Sequence, residues 1–160
     1  MSWKLKIPHG ISSGLRSTLF SIEQRLTQKV TLCAAERINA VSHTNTGGWE
    51  KVALNLAPID VLSEFSTADG KLTLKNPGDY FISATVAFAS ETVVAVNLYK
   101  NGSLLIVGDS GTNYNVSLDC IISLVKDDYL ELYAYQSSGG DLAYSLANKG
   151  VRMTAHKISV

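Results

Sequence analysis

The side chains of this 160-residue chain that could do chemistry are few and dispersed. Cys33 and Cys120 lie far apart, and neither sits in a CxxC or CxxH spacing, so zinc and redox readings lack the ligand pattern they require. Two buried free thiols are the simpler expectation, given how often unpaired Cys is buried. His9, His43 and His156 form no HxH or HExxH pair, which removes the commonest histidine metal sites. There is no GxSxG, no glycine-rich phosphate loop ahead of a helix, and no His near a Ser or Cys in a nucleophile context.

Carboxylates are the abundant candidates. Asp127 and Asp128 fall in an expected tight turn, where an Asp side chain commonly bonds the turn's own backbone. Asp60, Glu64, Asp69, Asp79, Asp109, Asp119 and Asp141 are scattered over expected loops and exposed strand faces. A loop calcium would take such oxygen ligands, but no ligand set stands out. The reading is therefore no catalytic residue, no metal and no cofactor: a chain that binds rather than transforms.

Composition narrows the binding classes. Lys plus Arg number 14 and Asp plus Glu number 14, so the positive field that marks nucleic-acid binding is missing. Charged residues make up 18% and apolar residues 46%, which argues against disorder. A chain this apolar with no net charge is poorly suited to life as a free monomer, so the expectation is an assembled protein. The opening MSWKLKIPHG has no apolar run behind its lysines, which predicts no signal peptide and a chain made in a cytoplasm. No stretch reaches the ~18 to 20 apolar residues of a membrane helix, and no membrane is expected as a partner.

Two regions are expected. From Ser12 to Gln28, Leu15, Leu19, Ile22 and Leu26 recur at steps of four, three and four, the seam of a short amphipathic or coiled-coil helix. Two heptads are marginal alone, so this helix needs a docking surface, on its own domain or in a short bundled stalk. Residues 1–27 are thus an N-terminal arm and helix, and 28–160 a separate domain.

After Thr27 the period becomes two. Val30, Leu32 and Ala34 alternate with Thr31 and Cys33; Val52, Leu54 and Leu56 alternate with Lys51, Ala53 and Asn55. Leu72 and Leu74 lead to Asn76-Pro77-Gly78-Asp79, a type II turn signal that predicts a hairpin-like reversal. Tyr80, Ile82, Ala84, Val86 and Phe88 share one face of a long strand. Val94 to Leu98 and Leu104 to Val107 flank Asn101-Gly102, the strongest short hairpin signal. Gly108 to Asn115 reads as a polar loop, then Val116 to Leu124, Tyr129 to Tyr135 and Val151 to Ile158 alternate as strands, with a loop over Ser137 to Asp141. Many short strands and no helical period beyond Thr27 predict an all-β, antiparallel two-sheet sandwich or barrel, a jelly roll being the natural candidate. Tyr129, Tyr133 and Tyr135 share one strand face, which is either a second buried face or a subunit interface.

Three motifs carry a resemblance. The run from Asp69 to Ser90, with Pro77-Gly78-x-Tyr80-Phe81 and Ser83-Ala84-Thr85-Val86, is similar to the globular head of C1q/TNF-like domains. So are the Leu98 to Gly102 hairpin and the strand Val116 to Leu124 followed by Asp127-Asp128 and Tyr129-Leu130-Glu131-Leu132. Together they span roughly residues 28 to 160 in the family's order. Met153 and Ala155 stand where the family has an aromatic residue and a glycine, and Asp127 stands where it has glycine.

The resemblance implies a ten-strand jelly roll that assembles as a homotrimer, of the kind also found in bacteriophage virion proteins. Of the roles it implies, the first is a capsid decoration (cement) protein, docked on the major capsid protein or another virion protein by Trp3, Leu5, Ile7, Leu15, Leu19, Ile22 and Leu26. Tyr129, Tyr133 and Tyr135 would line the trimer interface. The alternative is the receptor-binding head of a short head or tail fibre, with host-facing loops carrying Asn113, Tyr114, Ser138 and Asp141. Either role would place the chain in the virion.

Overall fold

In the computed structural model the described residues are Gly14, Ser17, Thr18, and the spans 31–44, 48–147 and 150–158. The chain divides into two compact units, Met1–Lys29 with Val160, and Val30–Ser159. In the first, the hydroxyls of Ser17 and Thr18 both donate to the Gly14 carbonyl, at 2.9 and 3.0 Å. Trp3, Leu5, Ile7, Leu15, Leu19, Ile22 and Leu26 lie outside the described residues.

The second unit is the all-β sandwich. Its strands are β1 (Leu32–Glu36), β2 (Ser42–His43), β3 (Glu50–Lys51), β4 (Leu56–Asp60), β5 (Phe65–Ser66), β6 (Lys71–Thr73), β7 (Gly78–Lys100), β8 (Ser103–Leu124), β9 (Tyr129–Gln136), β10 (Leu142–Ala143) and β11 (Val151–Lys157). The pairings are antiparallel. Two long strands tie the layers together. The first half of β7 pairs with β11 and with the end of β8, while its second half pairs with β9 and with the start of β8. One layer therefore runs β4-β1-β11-β7-β8, and the other holds β8, β7, β9, β6 and β5, with β3 beside β9.

The change of layer occurs at a corner. The ladder jumps from Ala87↔Asn115 to Thr92↔Asn113, so four residues, Phe88 to Glu91, stand against one, Tyr114. An excess on one strand bends it and sharpens its twist. At the opposite end Asn101 (φ 52) and Gly102 (φ 78) close the β7–β8 hairpin, the two positive φ values that an Asn-Gly turn supplies.

The core lies between the layers. Tyr80, Ile82, Ala84, Val86 and Phe88 from the first half of β7 meet Val94, Val96 and Leu98 from its second half, with Leu130, Leu132 and Ala134 of β9 and Val151, Met153 and Ala155 of β11. Each Val, Leu, Ile, Met or Phe among them contributes about 1.5–3 kcal/mol by leaving water, and each Ala less.

Five expectations need correction. Gly108 to Asn115 is not a loop but the middle of β8, because its backbone groups are satisfied by the partner half of β7. The 76–79 turn is not a hairpin: β6 pairs with β5 and β9, whereas β7 starts in the other layer, so the turn carries a crossover. Val52 and Leu54 are buried as their alternation predicts, but the chain leaves β3 beside β9 to join β4 beside β1, and that change of partner interrupts the strand. Pro58 sits in β4 at the sheet edge, where its missing N–H costs no ladder bond. In β1 the inward phase is Cys33 and Ala35, and Leu32 remains 40% exposed. Cys33 is buried as expected, but Cys120 is only partly so.

Candidate functional site

Asp60, Glu64 and Asp128 are engaged in holding turns and strands. Asp128, 5% exposed, accepts from Asn101 Nδ2 at 2.7 Å, Val125 N at 3.0 Å and Lys100 Nζ at 3.3 Å. The Val125 N–H, then the bonds from Asn101 and Lys100, hold its carboxyl below the usual range. Asp60 caps the backbone N–H groups of Glu64 and Phe65, at 2.8 and 2.9 Å. Glu64 accepts from Thr31 Oγ1 and Lys75 N. Among the described residues, no three His, Cys, Asp or Glu side chains gather as metal ligands.

Tyr129, Tyr133 and Tyr135 do share one face of β9, and their surroundings are now specific. The Tyr133 ring lies on Tyr99 with centroids 4.2 Å apart, Tyr135 meets Trp49 at 5.9 Å, and Lys71 Nζ sits 4.5 Å from the Tyr129 centroid. Between them Glu131, 5% exposed, pairs with Lys51 Nζ at 2.6 Å. Burial, then the neighbouring Glu131 charge, pushes the Tyr133 phenol up. Residues of this chain already cover much of this aromatic face, which leaves all three tyrosines half-buried.

Among the described residues a different surface is left without cover. Among the described residues β8 pairs only with β7, so one edge of this 22-residue strand is open. Long open edges with apolar side chains are sites of further association. Val107 is 70% and Ile121 67% exposed. Ile121 stands opposite Phe81, Phe81 opposite His156, and His156 opposite Leu32, so a part-apolar row crosses four strands to the open edge. The signal was legible in the sequence: Phe81 and Ile121 are apolar residues in the otherwise polar phase of their strands.

The fold brings the host-facing candidates to one end. Thr92 of β7 pairs with Asn113, while Val93 O accepts from Ser137 N at 3.1 Å on the other side. Ser138 belongs to a turn in which Gln136 Nε2 and Ser138 Oγ both donate to Gly140 O at 2.9 Å, and Asp141 is exposed beside it. Tyr114, 56% exposed, forms one wall of a cleft of about 400 Å³ at the corner, with Arg152, Thr85 and Ser145 among the other walls. Asn113, Ser138 and Asp141 do not line it. Sequence reasoning missed Arg152, whose relation to Tyr114 depends on the bend.

No family model matches the chain, and no curated relative does. Solved structures do. The globular domain of zebrafish complement 1qA superposes with a TM-score of 0.60 at 17% identity, covering 81% of this chain and 98% of that one. Murine APRIL at pH 5.0 gives 0.62 at 12% identity, covering 81% and 100%. Eiger TNF from S. frugiperda gives 0.54 at 12%, covering 82% and 94%. At such identities the likeness shows the fold: a C1q/TNF-like jelly roll, which fold alone does not equip with a function.

Proposed function

We propose that this chain is a non-catalytic structural subunit whose jelly-roll heads associate as a homotrimer. The observation that carries the reading is the open β8 edge with its apolar row Leu32, Phe81 and Ile121. An edge on one copy covering a sheet face on the next is a heterologous contact, and such contacts repeat until the ring closes. Burial of the exposed Phe81 and Ile121 supplies the driving force. The formal charge of zero leaves little repulsion between copies.

In this reading residues 1–27 grip a larger particle, and the particle the sequence resemblance suggests is a virion. The chain then acts as a decoration protein, held to the major capsid protein or another virion protein by the arm, with the heads adding buried area across the shell. The test is the mass of the purified protein by light scattering, followed by mixing with shells that lack it. A trimer that binds shells and raises their resistance to heat supports the reading, and binding that survives deletion of residues 1–27 overturns the arm's role. A monomer overturns the assembly.

A second reading, a receptor-binding head, is favoured by the cleft at the corner, which Tyr114 and Arg152 both line. Host-surface binding by the protein without residues 1–27 supports it over cementing.

A further inference from the structure

We propose that the cleft at the β7–β8 corner binds a sugar ring bearing a carboxylate, with Arg152 as the anion partner. This deepens the receptor reading, but it stands on the cleft itself and does not need the trimer. Arg152 is exposed on β11, between Thr85 of β7 and Glu36 of β1 in the ladder. Its side chain takes part in none of the hydrogen bonds or ion pairs among the described residues. A guanidinium is planar, permanently charged and forked, and it matches a carboxylate with two parallel N–H bonds. It is the sole cationic side chain among the described residues lining the cleft. One guanidinium balances one monoanion, whereas phosphate sites usually gather several N–H donors or cations.

The remaining walls suit a sugar ring. Phe88, Ala87 and Ala89 give an apolar side, Tyr114 an aromatic rim, and Thr85 and Ser145 hydroxyls that both donate and accept. A volume of about 400 Å³ falls within the range of small-molecule sites, which combine an apolar lining with a few placed polar groups. The walls are also pinned. Ser145 N donates to Ala87 O at 2.8 Å, and Phe88 bridges to Tyr144, which is 6% exposed. Gly150 N donates to Ala147 O at 3.0 Å, and a Cβ on Gly150 would lie 2.6 Å from Ser145 O and 2.8 Å from Ala87 Cβ. Ser145 and Gly150 thus lie flush on β7, and these described walls need little ordering before a ligand enters.

The experiment uses the ¹⁵N-labelled full chain titrated with N-acetylneuraminic acid, glucuronic acid and, as the neutral probe, glucose. The expected result is saturable movement of the Tyr114, Ser145 and Gly150 amide signals by at least one acid, with a Kd of about 1 mM, and none by glucose. Which acid binds tells the two sources of carboxylate apart. Arg152→Gln should weaken binding by about tenfold or more, and Tyr114→Ala, at an exposed position that leaves the core intact, should weaken it severalfold. Movement by neither acid, equal movement by glucose, or unchanged affinity in Arg152→Gln would overturn the proposal. Light scattering on Arg152→Gln separates it from the assembly reading: an unchanged mass is expected. A fall to one chain's mass would make Arg152 a contact between copies and overturn the sugar site.

Discussion

Asn101 and Asp128 lock two turns of the sandwich together: Asn101 Nδ2 donates to Asp128 Oδ1 at 2.7 Å while Asn101 Oδ1 accepts from Tyr129 N at 2.9 Å. The β7–β8 hairpin is thereby fastened to the start of β9. Leu74 N donates to Asp128 O and Asp127 N to Leu74 O, at 2.8 and 2.7 Å, which brings in the end of β6.

Asp128→Ala should cost about 2 kcal/mol, because it leaves the Val125 N–H and the Asn101 amide without their buried acceptor. Urea unfolding reads this as a fall in midpoint at constant slope. The carboxyl of Asp128 is held low chiefly by the Val125 N–H. A depressed carboxylate contributes stability that is present above its unfolded pKa and is lost as pH falls through the folded value. The melting temperature should therefore drop below about pH 4, and Asp128→Asn should flatten that drop. An equal drop in the variant would refute the assignment.

Asp127 holds φ at 70°, a conformation that costs an L-residue with a Cβ roughly 1 kcal/mol or more and costs glycine little. Asp127→Gly should stabilise by about 0.5–1 kcal/mol and Asp127→Val should destabilise by more than about 1 kcal/mol. The glycine of the C1q/TNF-like heads that this stretch resembles then has a backbone explanation. Identical unfolding midpoints for the two variants would remove it.

Cys33 is 1% exposed, and burial, followed by the charges of Asp60 and Glu64, pushes its thiol up to about 12. The thiolate is the reactive form. An aromatic disulfide reagent at about pH 8 should leave Cys33 unmodified in the folded protein and label it on unfolding, as mass spectrometry of the peptides would reveal. Rapid labelling in the folded state would contradict the burial.

Two sheet faces compete for the contact in the proposed homotrimer, and one substitution on each separates them. Ile121→Arg, at a 67% exposed position, should leave the head folded and reduce the mass in solution to one chain. Tyr133→Arg tests the aromatic face of β9. A fall in mass with Tyr133→Arg alone would move the contact there.

Gly150→Ala should destabilise by about 1–3 kcal/mol, since the new methyl group would press on Ser145 O and Ala87 Cβ. Calorimetry would show a lower melting temperature. An unchanged one would mean that the segment can shift away from β7 at little cost.

The sequence by itself determined the all-β class, the face of most strands, the Asn101-Gly102 hairpin and the Asp127-Asp128 turn. These follow from period-two alternation and from local backbone preferences, which act over a few residues. The core phase of Tyr80 to Phe88 and of Leu130 to Ala134 was legible for that reason. Only the tertiary structure decided that 108–115 is strand, since its polar residues find backbone partners on β7. It also decided that the turn at 76–79 carries the chain between layers, and that Leu32 stays exposed at the surface. Arg152 and Tyr114 share a cleft because four residues of β7 oppose one of β8 at the corner. That mismatch belongs to the pairing of two segments, and neither segment carries its signature alone.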